Sequence, residues 1–195
     1  FKLTINASID NFNSRNISFQ TPIGGDALNV NGRSYITSDR YFVINANQLL
    51  NWNKTYNDVH NFEVMLGHET KNDRSETLTA YKENFPVPDN PELANGAYLG
   101  DANSSAAEYS LEGYFGQLKY DYDNKYYFST SLRRDASSKF HPDNRWGTFW
   151  SVGGAWRISR EKFMENVGWV NELKFKASYG TQGNDGVPYN RMYLD

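Results

Sequence analysis

Three histidines, in a chain with no cysteine, are the side chains that could hold a transition metal. His60 and His68 lie in one stretch and are eight residues apart. On an extended strand that spacing separates them by ~27 Å, so they cannot ligate one zinc ion. His141 stands alone in a polar segment. The spacing predicts no metal site, and the sequence carries no cofactor-binding motif.

Acidic pairs and glycine motifs are the next candidates for chemistry. Glu108 and Glu112 face the same way on a strand but stand ~13 Å apart, beyond the ~5–9.5 Å that paired carboxylates need to hydrolyse a glycosidic bond. Gly180, Gly183 and Gly186 follow a strand into a loop and open no helix, so they indicate turns. Nucleophile elbows, phosphate loops and helical zinc-protease motifs are absent from the sequence. The chain is therefore predicted to have no catalytic residues and not to be an enzyme.

Composition limits the remaining classes of function. Of 195 residues, 38% are hydrophobic and 16% are aromatic, mostly Tyr and Phe. The sequence has no run of ~18 apolar residues, which excludes a membrane-spanning helix. The aromatic content is typical of strands and of the aromatic girdles of membrane barrels. The net charge is -3 and the basic residues are scattered, so nucleic acid is not an expected partner.

Apolar and polar residues alternate along several segments, which is the pattern of strands with two different faces. In residues 146–158 one face carries tryptophan and valine, and the other carries serine, glycine and arginine. Such a polar second face suits a wall between water and lipid better than a buried sandwich core. The pattern predicts an all-β chain of about seven antiparallel strands. They fall at about 1–10, 40–52, 59–69, 107–121, 125–134, 146–158 and 171–182.

The connections between these strands alternate in length. Long polar stretches lie at about 11–38 and 70–106, whereas the links around 53–58 and 121–124 are tight. Outer-membrane barrels have long outer loops and short periplasmic turns, so the alternation favours a transmembrane β-barrel segment over a sandwich. After Ile158 we expect a short helical turn capped by Ser159, at the periplasmic rim.

The phase of the alternation gives two local predictions. His60 and His68 share the phase of the apolar residues between them, so both should lie on the outward face as polar ends of an apolar band ~25 Å tall. Between residues 109 and 122 the apolar positions change from odd to even numbers. We therefore expect a β-bulge at Gly113 or Gly116, where one extra residue would reset the alternation.

Several sequence strings carry a family resemblance. RRDASSKF, NRWGTF and WRIS, which begin at residues 133, 144 and 156, resemble the barrel signature of SusC/RagA-type TonB-linked outer-membrane proteins. NWNKTYNDVHNFEVMLGHE, YFGQLKY and NELKFKASYGTQGN agree with that family in the same order, so the resemblance covers most of residues 39–184. The signature positions, expected to be structural, are Arg133, Arg134, Asp135, Ser137, Ser138, Phe140, Asn144, Arg145, Trp146, Gly147, Phe149, Trp156, Arg157, Ser178, Tyr179, Gly180, Gly183 and Asn184.

The resemblance implies a single barrel domain of about twenty-two strands, of which residues 1–195 form a part without the N-terminal plug. It implies that the barrel is surrounded by lipid in the outer membrane of a Gram-negative, Bacteroidota-like bacterium. Members of this family import oligosaccharides or peptides together with a SusD-like lipoprotein cap. Their energy comes through TonB, which contacts the N-terminal part that this chain lacks.

Aromatic residues around the second long stretch are candidates for substrate contact. Tyr81, Phe85 and Tyr98 could stack on a sugar ring. Alternatively, they pack the loop on itself or against the cap, because loops of this length usually need internal packing.

Charges near the signature are expected to hold a loop in place rather than to bind a ligand. The prediction is that Arg134 or Arg145 pairs with Asp135 or Asp143.

Two other functions stay open from the sequence alone. One is a secreted β-sandwich that binds carbohydrate through exposed aromatic residues, and the other is a passive porin or autotransporter barrel.

Overall fold

A computed structural model describes residues 1–186 of the chain. Its seven strands form one antiparallel sheet in which each strand pairs with its neighbours in sequence. The sheet is therefore a meander, as predicted. The strands are β1 (Lys2–Gln20), β2 (Arg33–Tyr56), β3 (His60–Glu83), β4 (Tyr98–Tyr122), β5 (Tyr126–Ser137), β6 (Trp146–Arg157) and β7 (Lys174–Gly180).

Two tight turns join β2 to β3 and β4 to β5. Asn57 and Asp58 in the first turn, and Asp123 and Asn124 in the second, all have φ between 47° and 56°. Consecutive left-handed residues match the twist of a two-residue hairpin, and Asn and Asp tolerate that conformation better than other residues with a Cβ. The sequence therefore determines these two reversals locally.

The first four strands are longer than predicted. The segments predicted as loops at 11–38 and 70–106 are largely strand, and the connections shrink to residues 21–32 and 84–97. Residues 70–83 are mostly polar, with Leu78 and Tyr81 as the large apolar exceptions, so they give no period-two signal although they belong to β3. Strands of 24 and 25 residues exceed the 9–11 residues that cross a bilayer.

The bulge expected at Gly113 or Gly116 is absent from the β4–β5 pairing. The register runs without interruption from the Leu111–Ser137 pair to the Tyr122–Tyr126 pair. Phe115 therefore stands on the polar side of the sheet, where its ring covers Gly67 of β3. At Phe115 the change of phase reflects an aromatic side chain packed over glycine, not a residue inserted between Leu111 and Tyr122.

The connection between β6 and β7 contains two short 3-10 turns, Ile158–Arg160 and Lys162–Met164. A helical turn was predicted here, but Ser159 does not cap it. Ser159 lies inside the first turn and its backbone N–H donates to the carbonyl of Leu173, 3.1 Å away. No helix among the described residues is long and apolar enough to cross a membrane.

The chain divides into two compact units. Among the described residues, the first contains Phe1–Ala7, Asn45–Lys71 and residues 110–186; the second contains Ser8–Ile44 and Asn72–Tyr109. In the second unit the connections 21–32 and 84–97 are hydrogen-bonded to each other through Asn84 and Phe85. The Phe85 ring is buried there against Phe19 in an edge-to-face contact. These two connections are thus a packed pair.

The contact between Phe115 and Gly67 gives a test of the register. A side chain at position 67 would collide with the Phe115 ring, so Gly67→Val should lower the free energy of unfolding by about 1–3 kcal/mol. The measurement is urea unfolding of the receptor in detergent micelles. Gly168→Val is the control, because a Cβ at Gly168 meets nothing within 4 Å. In the Gly67→Val background, Phe115→Ala should lower the free energy of unfolding by less than it does in the unmodified protein. If the two losses simply add in the double variant, the contact is contradicted.

Candidate functional site

The sheet of the first unit has one apolar face. The register pairs Tyr126 with Trp156, Phe128 with Gly154 and Leu132 with Trp150, and paired residues point to the same side. The face continues onto β7, where Phe175 pairs with Trp156 and Tyr179 with Val152. Most of the large side chains of this face are exposed: Leu66, Tyr114, Tyr122, Tyr126, Phe128, Leu132, Trp146, Trp150, Val152, Trp156, Phe175 and Tyr179.

The exposure of these side chains shows that the apolar face is not covered by other parts of the described chain. Within residues 1–186 the buried hydrophobic residues are Ala27, Phe85 and Ala136. All seven described strands belong to one sheet, so no second sheet covers the face as in a sandwich. A contiguous apolar surface of this size is unfavourable in water. It therefore needs an apolar partner, and lipid is the partner that an alternating strand wall usually has.

Aromatic residues gather where the tight turns lie, and we call them the turn-end girdle: Tyr56, His60, Tyr122, Tyr126 and Trp156. The ring centroids of His60 and Tyr122 are 5.0 Å apart, and those of Tyr122 and Tyr126 are 6.3 Å apart. The Tyr126 hydroxyl and the Trp156 indole N–H both donate to one oxygen of Glu161, at 2.5 and 2.9 Å. These donors lower the pKa of the Glu161 carboxyl, with Tyr126 the larger cause.

A second polar and aromatic group lies towards the other end of the same face. The His68 ring stacks on Tyr114, with 4.6 Å between centroids, and one of its nitrogens is 2.7 Å from Gln48 Oε1. The Tyr114 hydroxyl donates to Glu112, and the ring centroids of Trp146 and Tyr114 are 6.1 Å apart. His60 and His68 therefore both lie on the apolar face, on either side of its hydrophobic residues, as predicted.

The opposite face is polar and charged. Lys119 pairs with Glu63 at 3.4 Å, and the hydroxyls of Ser131 and Ser151 are 2.7 Å apart. The ammonium group of Lys174 lies 3.6 Å from the centroid of the Tyr127 ring. A groove of about 420 Å³ runs along this face beside Lys119 and Tyr127. Such a surface needs water or polar partners.

Arg133 is the centre of the strongest ionic cluster on the polar face. Its Nε donates to Asp135 Oδ2 at 2.7 Å and its Nη2 donates to Glu69. The guanidinium also lies 5.2 Å from the Phe115 ring centroid. Gly113, which pairs with Asp135, leaves room for both charges, because a Cβ there would lie 2.6 Å from Asp135 Oδ1.

The predicted pairing of Asp135 with Arg134 or Arg145 is therefore wrong. Arg134 points to the apolar face, where its guanidinium lies 5.2 Å from the Trp146 ring. Asp143 lies 3.5 Å from His141. Residues two apart on a strand share a face and adjacent residues do not, so the alternation alone could have identified Arg133 as the partner. Glu69 could not have been found this way, since it comes from β3.

The signature residues at and just after the end of β5 are joined to the segment that follows β7. The Ser137 hydroxyl donates to Asp185 Oδ2 at 3.1 Å, and Lys139 Nζ donates to the Asp185 carbonyl at 3.1 Å. The Phe149 ring covers Gly147 and Gly183. The two signature strings thus meet in space, and Asp185 is a residue that the sequence analysis missed.

The other signature residues make backbone hydrogen bonds, pair across strands or contact neighbouring side chains. Ser138 exchanges hydrogen bonds with Ser110, at 2.9 Å in both directions. Arg157 lies 3.5 Å from Glu172, and Tyr179 packs edge-on against Trp150. The backbone N–H of Phe140 donates to the carbonyl of Ser137, and that of Asn144 donates to the carbonyl of His141. Arg145 and Asn184 line a cavity of about 360 Å³. In the β6–β7 register Ser178 pairs with Gly153 and Gly180 pairs with Ser151.

The three aromatic candidates for substrate contact have different environments in the second unit. Phe85 is only 1% exposed, so it is a packing residue and the expectation that it stacks on a sugar is corrected. Tyr81 stacks on Tyr35, with 4.7 Å between centroids. Tyr98 is 65% exposed. Among residues 1–186 no group of three or more His, Asp or Glu side chains is placed to hold a metal ion.

The Arg133 cluster gives a test with an internal control. Arg133→Met leaves Glu69 and Asp135 without their shared cation and should cost about 1–2 kcal/mol, less than a fully buried pair because Arg133 is partly exposed. Arg134→Met removes only a contact with Trp146 and should cost about 0.5 kcal/mol. Urea unfolding of both variants measures the difference. Equal costs would mean that the cluster contributes no specific stability.

Comparison with known proteins places the chain among transport receptors. The TonB-dependent receptor P39 of Formosa agariphila is 29% identical over 202 residues, covering 96% of this chain and 18% of that protein. The TonB-dependent receptor SusC of Bacteroides thetaiotaomicron is 30% identical over 135 residues, covering 69% of this chain and 13% of that protein. The chain thus spans less than a fifth of these relatives. No family model matches it.

Solved structures agree with the sequence relatives. The RagAB peptide transporter superposes with a TM-score of 0.88 and 26% identity, over 96% of this chain and 21% of that one. The RagAB peptide importer in its 'closed-closed' state gives a TM-score of 0.85 over 93% of this chain. These relatives are receptors and transporters, not enzymes. With its signature strings, its strand wall and these relatives, the chain belongs to the SusC/RagA-type TonB-dependent receptors as a segment of their barrel.

Proposed function

We propose that the chain forms part of the barrel wall of a TonB-dependent importer in a bacterial outer membrane. The observation that carries this proposal is the exposed apolar face, which lies opposite a charged face on the same strands. The first face contacts lipid and the second faces the water-filled interior of the barrel. Relatives named as TonB-dependent receptors match along 96% of the chain and support the same assignment.

The dimensions of the apolar face support a membrane position. His60 and His68 on β3, and Tyr114 and Tyr122 on β4, are each eight residues apart. At ~3.4 Å per residue the two groups are separated by ~27 Å along the strands, close to the ~25 Å apolar band of outer-membrane barrels. Aromatic side chains with a polar tip are the residues expected at both membrane interfaces.

The rest of the importer follows from the family and is part of the proposal. The complete barrel has about twenty-two strands, a plug that contacts TonB and a SusD-like lipoprotein cap. Residues 1–186 form one stretch of the wall, and the plug belongs to another part of the receptor. The bacterium is Gram-negative and of the Bacteroidota type, as the sources of the relatives, Formosa and Bacteroides, suggest.

The cargo is an oligosaccharide or a peptide, and Tyr81 and Tyr98 are the proposed contact residues of this segment. The Tyr81 and Tyr35 rings form a stacked pair, and the Arg33 guanidinium lies about 6 Å from both ring centroids. Arg33 is itself held by Glu83 at 2.7 Å. An aromatic face beside fixed polar groups suits both a sugar ring and a peptide segment.

The two other functions have less support. A secreted sandwich would need a second sheet over the apolar face, and residues 1–186 form one sheet. A passive porin would share the strand wall, but the similar proteins are TonB-dependent receptors.

Adjacent residues on β5 provide the test of the membrane wall. Phe128→Lys places a charge on the apolar face and should destabilise the folded barrel by about 2–4 kcal/mol in lipid. Ser129→Lys places the same charge on the polar face beside the groove and should cost much less. Unfolding of the receptor in phospholipid vesicles measures both. Equal tolerance of the two lysines would rule out a lipid-facing role for this face.

The cargo contact is tested at Tyr81. In the purified receptor Tyr81→Ala should weaken cargo binding about tenfold, which corresponds to ~1.4 kcal/mol of lost stacking. Tyr81→Phe keeps the ring and should bind nearly as well. Calorimetry with oligosaccharides and with oligopeptides distinguishes the two classes of cargo. Unchanged affinity of Tyr81→Ala for a cargo that does bind would remove this residue from the site.

A further inference from the structure

We propose that the connection between β6 and β7, residues 158–173, is a membrane-interface anchor whose Phe163 and Trp169 insert among phospholipid headgroups. This inference rests on the proposed function, because it needs the apolar face to contact lipid. It adds a lipid-binding element outside the strands, at the end of the sheet where the tight turns lie.

The position of the connection comes from Glu161. Its carboxylate accepts hydrogen bonds from Tyr126 and Trp156, which are register partners on the apolar face. Glu161 therefore lies on the lipid side of the sheet and not on the polar side. The connection is closed at its base by the hydrogen bond from Ser159 N–H to the Leu173 carbonyl, so it is held against the turn-end girdle.

The connection exposes large aromatic side chains where the two tight turns expose none. Phe163 is 65% exposed and Trp169 is 86% exposed. Residues 57–59 and 123–125 are Asn, Asp, Val and Lys. An exposed tryptophan leaves much of its 150–250 Å² in water, and the membrane interface accepts both its apolar body and its N–H group. Glu161, two residues before Phe163, is hydrogen-bonded to the girdle, and this continuity indicates lipid as the occupant.

The backbone and charges of the connection suit the same location. Successive turns pair Glu161 N–H with Ile158, Met164 N–H with Glu161 and Val167 N–H with Met164. These internal hydrogen bonds reduce the cost of moving the backbone out of bulk water. Arg160 and Lys162 are exposed on either side of Glu161 and can donate to lipid phosphates. Glu165 is exposed as well, so aromatic insertion and not net charge supplies the contact.

The experiment labels single cysteines in the intact receptor, reconstituted in phosphatidylethanolamine and phosphatidylglycerol vesicles. These 195 residues contain no cysteine, and any cysteine elsewhere in the receptor is first replaced by serine. An environment-sensitive dye is attached at Trp169→Cys or, as a second anchor position, at Phe163→Cys. Its fluorescence is measured with lipids that carry a spin-label quencher at the headgroup or in the middle of the acyl chain, and with aqueous iodide. Phe128→Cys is the lipid control, and Thr55→Cys on the polar face is the water control.

The proposal predicts that dyes at 169 and 163 lose fluorescence to headgroup quenchers more than to mid-chain quenchers and are protected from iodide. The dye at 128 should respond to mid-chain quenchers, and the dye at 55 only to iodide. If 128 responds to lipid but 169 and 163 respond only to iodide, the anchor is wrong and the membrane wall stands. If 128 does not respond to lipid either, the proposed function fails and the anchor fails with it.

Discussion

The need to cover one apolar face of a single sheet is the constraint on which the rest of this structure depends. In the first unit most of the large apolar side chains of β4 to β7 stand on one side, and most of these remain exposed. A sheet alone cannot bury them. In the barrel wall that we propose, lipid covers this face, and aromatic side chains with polar tips, such as Tyr126 and Trp156, lie at its margin as they do at membrane interfaces.

The polar face solves the opposite problem, because charged groups must stay hydrated or paired on a wall without a hydrophobic core. Arg133 brings Glu69 and Asp135 together, and glycine at 113 gives the two charges room. Aromatic rings also occur on this face, where Phe115 covers Gly67 and Phe149 covers Gly183. Aromatic rings packed over glycines thus provide close side-chain contacts in a sheet with few buried residues.

The second unit is organised differently. Its strands expose apolar side chains such as Ile9, Phe12 and Leu78, and its buried hydrophobic residues, Ala27 and Phe85, lie where connections 21–32 and 84–97 meet. That packing removes Phe85 from any binding surface and leaves Tyr81, stacked on Tyr35, as the better-placed aromatic residue. A rigid pair of connections is a suitable support for a binding surface, since bound residues then lose little conformational entropy.

The sequence by itself determined the strand wall, its two faces, both tight turns and the family. Each of these is visible in local sequence, because side chains alternate across a strand with a period of two and Asn and Asp favour left-handed turns. The tertiary structure alone decided where the polar strands end, that Phe115 lies on the polar face without a bulge, and that Glu69 and Asp185 join the signature residues. The mostly polar residues 70–83 carry no periodic signal. Contacts across strands depend on register, which residues far apart in the chain establish together.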